Sequence, residues 1–103
     1  MHPLIEARLS EIQALCRGLA IRRLDVFGSA VGESFDVSTS DVDVLVEFDD
    51  GRGGFDYFGA YFGLKEGLER LLDRAVDVVS VTSIRNPFFR DRVMRTKQPL
   101  YAA

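Results

Sequence analysis

The stretch that most constrains this chain is Asp41-Val42-Asp43-Val44-Leu45-Val46-Glu47-Phe48, in which β-branched and other apolar residues occupy almost every position after two aspartates. A strand with apolar side chains on both faces must be buried within a sheet that is covered by helices. Successive side chains of a strand point to opposite faces, so Asp41 and Asp43 project side by side while Val42 and Val44 project the other way. Two ionised carboxylates held this close repel each other, and a fold keeps such a pair when a cation or a proton sits between them. Oxygen-only ligation of this kind suits Mg²⁺, which takes one or two carboxylates and completes its shell with waters and substrate phosphates.

A second stretch lies upstream. Arg22 to Phe27 alternates and then becomes apolar, which predicts a first strand ending at Gly28. Gly28 allows another group to approach the backbone, and Ser29 with its neighbouring N–H groups suits phosphate oxygens if a short helix opens there. Gly32, Ser34, Asp36, Ser38 and Thr39 then read as a polar loop.

Gly28-Ser29 followed by Asp41-Val42-Asp43, each beside an apolar strand, resembles the signature of the DNA polymerase β nucleotidyltransferase superfamily. The short chain and the run from Ser40 to Phe48 resemble the minimal nucleotidyltransferases, antitoxin-type proteins that pair with HEPN-domain toxins. The resemblance covers nearly the whole chain. It implies that Asp41, Asp43 and Asp77, the last within Ala75-Val76-Asp77-Val78-Val79-Ser80-Val81, are metal-binding and catalytic carboxylates, and that Gly28 and Ser29 hold the nucleotide. It further implies two Mg²⁺ ions, ATP as substrate, and transfer of AMP to a hydroxyl, such as a tyrosine, of a HEPN-type toxin. The alternative is a dormant binding module that neutralises its partner by contact alone. Relatives carry an arginine soon after the Gly-Ser pair, whereas Ala30 and Val31 stand here, which leaves more of the phosphate charge to metal and backbone.

Length and charge bound the reading independently. A chain of 103 residues is expected to form one domain, with a real core but no added substrate-recognition domain. Its net charge of −3 disfavours free nucleic acid as a substrate, since any polyanion must be held locally. One cysteine excludes an intrachain disulfide, and the absence of a signal or membrane-spanning run makes a reducing cytoplasm the expected location. Cys16 is expected to be buried, and His2, the single histidine, to be disordered, which leaves no His-dependent triad or His-rich zinc site.

The remaining elements follow from periodicity. Leu4, Ile5, Leu9, Ile12, Leu15, Cys16 and Leu19 predict one amphipathic helix of about four turns, with Pro3 in its first turn. Asp49 to Gly54 predicts an exposed connection, with a lid over the nucleotide as the alternative. Phe55, Phe58, Tyr61, Phe62, Leu64, Leu68, Leu71 and Leu72 predict a second long helix. Its aromatic stripe reads as core, with a partner or self-association surface, and hence a homo-oligomer, as the alternative. Asp77 interrupts an apolar strand, so its burial would need a partner, with a strand-end aspartate that merely reaches solvent as the alternative.

Asn86-Pro87 predicts the start of a last helix through Phe88, Phe89, Val93 and Met94. Its basic residues Arg85, Arg90, Arg92, Arg95 and Lys97 read as a solvated face or as contacts for phosphates or an acidic partner. Pro99 to Ala103 predicts a short tail anchored by Tyr101. The expected architecture is an α/β domain with a small mixed sheet and helices packed mainly on one side.

Overall fold

The computed structural model describes residues 2–28, 41–51 and 53–103. The expectations for Ser29, the polar loop after it, and Arg52 therefore lie outside the described residues. Helix α1 (Pro3–Glu6) and helix α2 (Leu9–Arg17) precede strand β1 (Ile21–Phe27) and strand β2 (Val42–Phe48). Helix α3 (Tyr57–Leu72) then leads to strand β3 (Val76–Ser80), a 3-10 turn at Val81–Ser83, helix α4 (Pro87–Thr96) and strand β4 (Gln98–Ala102).

The strands lie in the order β3-β2-β1-β4. β1 is antiparallel to β2 and β4, while β2 and β3 are parallel, so the sheet is mixed. A parallel pair needs a long crossover, and α3 supplies it between β2 and β3. β2, with a neighbour on each side, is the interior strand that its two apolar faces demand. Leu24, Val26, Val42, Val44, Val46 and Val76 turn to one face and form the main core with Ile5, Ile12, Cys16, Leu64 and Leu68 from α1, α2 and α3. The opposite face bears a smaller cluster of Phe27, Leu45 and Val93, through which α4 packs.

Three expectations are corrected. The predicted first helix is broken: α1 ends at Glu6 and α2 restarts after Arg8, whose φ of −111° and ψ of 8° leave the helical region. His2 is ordered rather than frayed, because its Nδ1 accepts a 3.1 Å hydrogen bond from the Leu4 N–H and caps α1. The C-terminal tail is a strand, β4, whose buried anchor is Leu100 rather than Tyr101. Pro99 disguised it, yet β4 is an edge strand, where the missing N–H is tolerated. Beyond these, Asp25, in the alternating part of β1, is buried.

Other elements agree with their sequence signals. Asn86 caps α4 by accepting from the N–H groups of Phe88 and Phe89 at 2.9 and 3.2 Å. α3 is capped by Asp56, whose carboxylate accepts from the Gly59 N–H at 3.0 Å. The aromatic stripe predicted for α3 divides: Phe55, which precedes the helix, and Tyr61 pack against the core, while Phe58 is 71% and Phe62 51% exposed. Gly63 and Gly67 let α2 lie close to α3, because a Cβ on Gly67 would come within 2.7 Å of Leu15. Cys16 is buried, and burial pushes its thiol pKa up to about 12, which makes it an inert apolar group.

Candidate active site

The site is built from one row of residues that crosses the sheet. Phe27 at the end of β1 pairs with Asp43 on β2, and Asp43 pairs with Asp77 on β3. Directly paired residues put their side chains on the same face, so the three form a continuous line. Alternation fixes which face this is: Val42 and Val44 enter the main core, and Asp43 must point the other way. Asp41 lies one residue before β2 and is exposed.

The electrostatics follow from this crowding. The Asp43 carboxyl is held above its ordinary pKa of 3.8, first by burial, then by the negative charges of Asp77 and Asp41, and also by a hydrogen bond shared with Asp77. The site therefore carries more negative charge than it can comfortably keep ionised, and a cation would relieve it. Gly28 stands against the same carboxylate. With φ of +73° it adopts a conformation that disfavours side chains, and a Cβ there would lie 2.6 Å from Asp43 Oδ2. The sequence suggested that Gly28 admits a close approach, and the group that approaches is Asp43.

These residues fit a magnesium ion in donor chemistry, since all are hard oxygen ligands and two of them face each other across neighbouring strands. Among the described residues no three ligating side chains stand together at the spacing of a complete metal cage. Magnesium does not require one, because its shell is normally completed by waters and substrate phosphates. Asp77 differs from expectation in being exposed rather than buried, and the group with which it shares a hydrogen bond is Asp43. β3 is an edge strand, and its site-facing end opens to water.

One buried charge escaped the sequence reading. Asp25, on the same face as Phe27, is only 2% exposed and is bracketed by Arg23 Nε at 3.1 Å and Lys97 Nζ at 3.2 Å. Lys97 lies between α4 and β4, so this ion pair fastens the C-terminal elements to β1. A single acid inside Leu24-Asp25-Val26-Phe27 was the available signal.

The strand ends thus bring Asp43 and Asp77 together beside Gly28. Residues 9–100 match the nucleotidyltransferase domain family, and the chain belongs to it. MJ1379 of Methanocaldococcus jannaschii, assigned as a protein adenylyltransferase, is 35% identical over 74 residues, covering 71% of this chain and 70% of its own. A solved minimal nucleotidyltransferase is 33% identical, superposes with a TM-score of 0.74, and covers 96% of both chains. A toxin–antitoxin structure with AMP-PNP shares the fold at 23% identity and a TM-score of 0.66, covering 92% of this chain and 73% of the other. So does a chain of a structure of a tri-AMPylated Shewanella oneidensis HEPN toxin in complex with MNT antitoxin, at 21% identity and a TM-score of 0.63, covering 95% and 72%. The chain is thus a minimal nucleotidyltransferase with the polymerase β-like fold, and an enzyme by family. Among the described residues no helix is long and apolar enough to cross a membrane.

Proposed function

We propose that this protein transfers AMP from ATP to a hydroxyl, that of a tyrosine, on a HEPN-type toxin and thereby acts as its antitoxin. The observation that carries this reading is the facing pair Asp43 and Asp77 with Asp41 at its flank, a charge cluster that a purely structural sheet has no reason to keep. The assignment of MJ1379 as a protein adenylyltransferase and the fold shared with an antitoxin beside an AMPylated toxin support the choice of nucleotide and acceptor. A fold shared with a protein solved with AMP-PNP supports a nucleoside triphosphate as donor.

In the mechanism, Asp41, Asp43 and Asp77 would hold two magnesium ions. When bound, these would neutralise the triphosphate, stabilise both the entering and the leaving oxygen and acidify the acceptor hydroxyl. Asp43 is placed by its register between β1 and β3 and is kept against the Gly28 backbone, so its carboxylate is oriented before substrate arrives. Asp77, more open to water, would complete the site on the side of the acceptor hydroxyl. Gly28 leaves room where a side chain would displace the Asp43 carboxylate, while the nucleotide-holding role expected of Ser29 lies outside the described residues. A reducing cytoplasm is the setting we assign, supported by one buried, inert cysteine.

The test is to incubate the protein with α-labelled ATP, Mg²⁺ and a HEPN-type protein encoded beside it, and to follow adenylylation by mass spectrometry. Asp77→Asn should lower the rate on the order of a thousandfold, as expected when several kcal/mol of transition-state stabilisation are lost, with the protein complex still formed. Transfer by Asp77→Asn at the wild-type rate would remove Asp77 from the site. Wild type that labels nothing yet still silences the toxin, matched by Asp77→Asn, would establish a neutralising scaffold instead.

A further inference from the structure

The carboxylate row ends at β1 in an aromatic contact. Phe27, the register partner of Asp43, is buried, and the ring of Phe89 from the first turn of α4 packs edge-on against it, centroids 6.0 Å apart at 76°. The helix that carries Phe89 is fixed at both ends of this contact, by the Asn86 cap and by Val93, which packs with Phe27 and Leu45. Phe89 nevertheless remains 39% exposed. A ring held so firmly on one edge and left open elsewhere, next to a carboxylate cluster, is a preformed apolar surface at the margin of a polar site.

We propose that Phe89 is the platform on which the nucleobase of the bound nucleotide stacks. This rests on the nucleotide-transfer reading given above. A nucleotide presents two chemistries at opposite ends, a polyanion and a flat π-surface. With the phosphates drawn to the carboxylates and their metal, the base must lie to one side of the Phe27-Asp43-Asp77 row. On the β1 side it meets the anchored Phe89. Stacking on a ring that is already immobilised costs little conformational entropy and accepts any base face. The other exposed rings do not compete, because Tyr57, Phe58 and Phe62 lie on α3, which covers the opposite face of the sheet. Phe88 is more exposed at 82%, but adjacent helix positions do not share a direction, so its ring does not lie with Phe89 over Phe27.

The experiment is calorimetric titration of wild type, Phe89→Ala and Phe89→Trp with ATP and, separately, with inorganic tripolyphosphate, both with Mg²⁺. Tripolyphosphate keeps the polyanion and lacks the base. Phe89→Ala should weaken ATP binding roughly five- to a hundredfold, the range that base-on-aromatic stacking supplies, and leave tripolyphosphate binding unchanged. Phe89→Trp should restore ATP affinity. Equal weakening of both ligands in Phe89→Ala would show that the ring only packs α4 against the sheet, and unchanged ATP affinity would remove it from the site; either overturns the platform. Wild type that binds neither ligand would instead strike the nucleotide-transfer reading itself, and the platform with it.

Discussion

The two faces of this sheet come from the same strands and behave as different materials. One face, built from Leu24, Val26, Val42, Val44, Val46 and Val76, is covered by α1, α2 and α3 and is continuously apolar. The other alternates Phe27 and Leu45 with Asp25, Asp43 and Asp77, and among the described residues its buried apolar cluster is completed by Val93 of α4. Burial at about 25 cal/mol per Å² makes the first face the source of stability. The second gives up part of that gain to crowd carboxylates at one end. A period of two along β2 is enough to keep these tasks apart, because no side chain serves both faces.

The separation is sharpest if a deletion on the covered face harms only stability. Leu64 is fully buried between α3 and the sheet, and Leu64→Ala should cost about 3 kcal/mol through lost transfer energy and the cavity left behind. Urea denaturation would measure it. Nucleotide affinity, titrated well below the melting temperature, should stay at the wild-type value; a loss of affinity comparable to the loss of stability would mean that the faces are coupled.

On the carboxylate face the largest stability effect should come from the ion pair rather than from the catalytic row. Lys97→Met leaves Asp25 buried with Arg23 alone, and Arg23 is itself half exposed. Removing one partner of a buried pair strands the other charge, and with Arg23 remaining the expected cost is about 2 kcal/mol. Chemical denaturation of Lys97→Met and of Lys97→Met/Asp25→Asn would check it. The double variant should recover part of the loss, because the stranded charge is gone.

Asp43 should show the opposite sign. Its folded pKa is raised above the ordinary 3.8, so the folded state binds the proton more tightly than the unfolded chain. Its contribution is then fully favourable below pH 3.8 and is lost as pH rises through the folded value. Asp43→Asn removes that dependence. Without divalent metal, the variant should melt above wild type at neutral pH, and the difference should shrink to nothing as the pH is lowered past the ordinary carboxylate range. Thermal melts across pH in chelator would show this, and a variant less stable than wild type at pH 7 would contradict the crowding. Added Mg²⁺ should raise the wild-type melting temperature and leave Asp43→Asn nearly unmoved.

How much of this was legible in the sequence depended on whether a feature is local. The interior position of β2, the Asn86-Pro87 start of α4 and the burial of Cys16 follow from neighbouring residues, and the chain bears them out. The proximity of Asp41 and Asp43 is likewise a matter of alternation. That Asp77 faces Asp43 requires the β2–β3 register, which no local pattern encodes, and it entered only through family resemblance. Exposure of Asp77 depends on β3 being an edge, again a property of the assembled sheet. The break between α1 and α2 has no local signal at all, since Ala7 and Arg8 both favour helix. β4 was hidden by Pro99, and the closeness of Gly67 to Leu15 depends on how α2 packs on α3, which no local pattern encodes.

The smallest expected stability effect comes from the outer surface of α3, and it decides whether the covering layer has a task of its own. Tyr57, Phe58, Tyr61 and Phe62 touch in sequence through ring contacts of 5.2 to 6.2 Å, and with Val78 and Ser80 they line a cleft of about 330 Å³ beside β3. Phe58 is 71% exposed, so Phe58→Ser should change stability by no more than about 0.5 kcal/mol. The exposed rings among them, Tyr57, Phe58 and Phe62, are more apolar surface than a monomer usually leaves in water, and such rings are typical anchors of protein interfaces. Binding of a HEPN-type partner or self-association should therefore weaken by tenfold or more in Phe58→Ser while nucleotide affinity is retained, as read by analytical ultracentrifugation and calorimetry on the same preparation. If the complex forms with unchanged affinity and the oligomeric state is that of wild type, the stripe is not an interface. The contrast would then rest between an inert covered face and a working open one. If association weakens as expected, the stable face is also the face that meets other proteins, and chemistry and docking occupy opposite sides of one sheet.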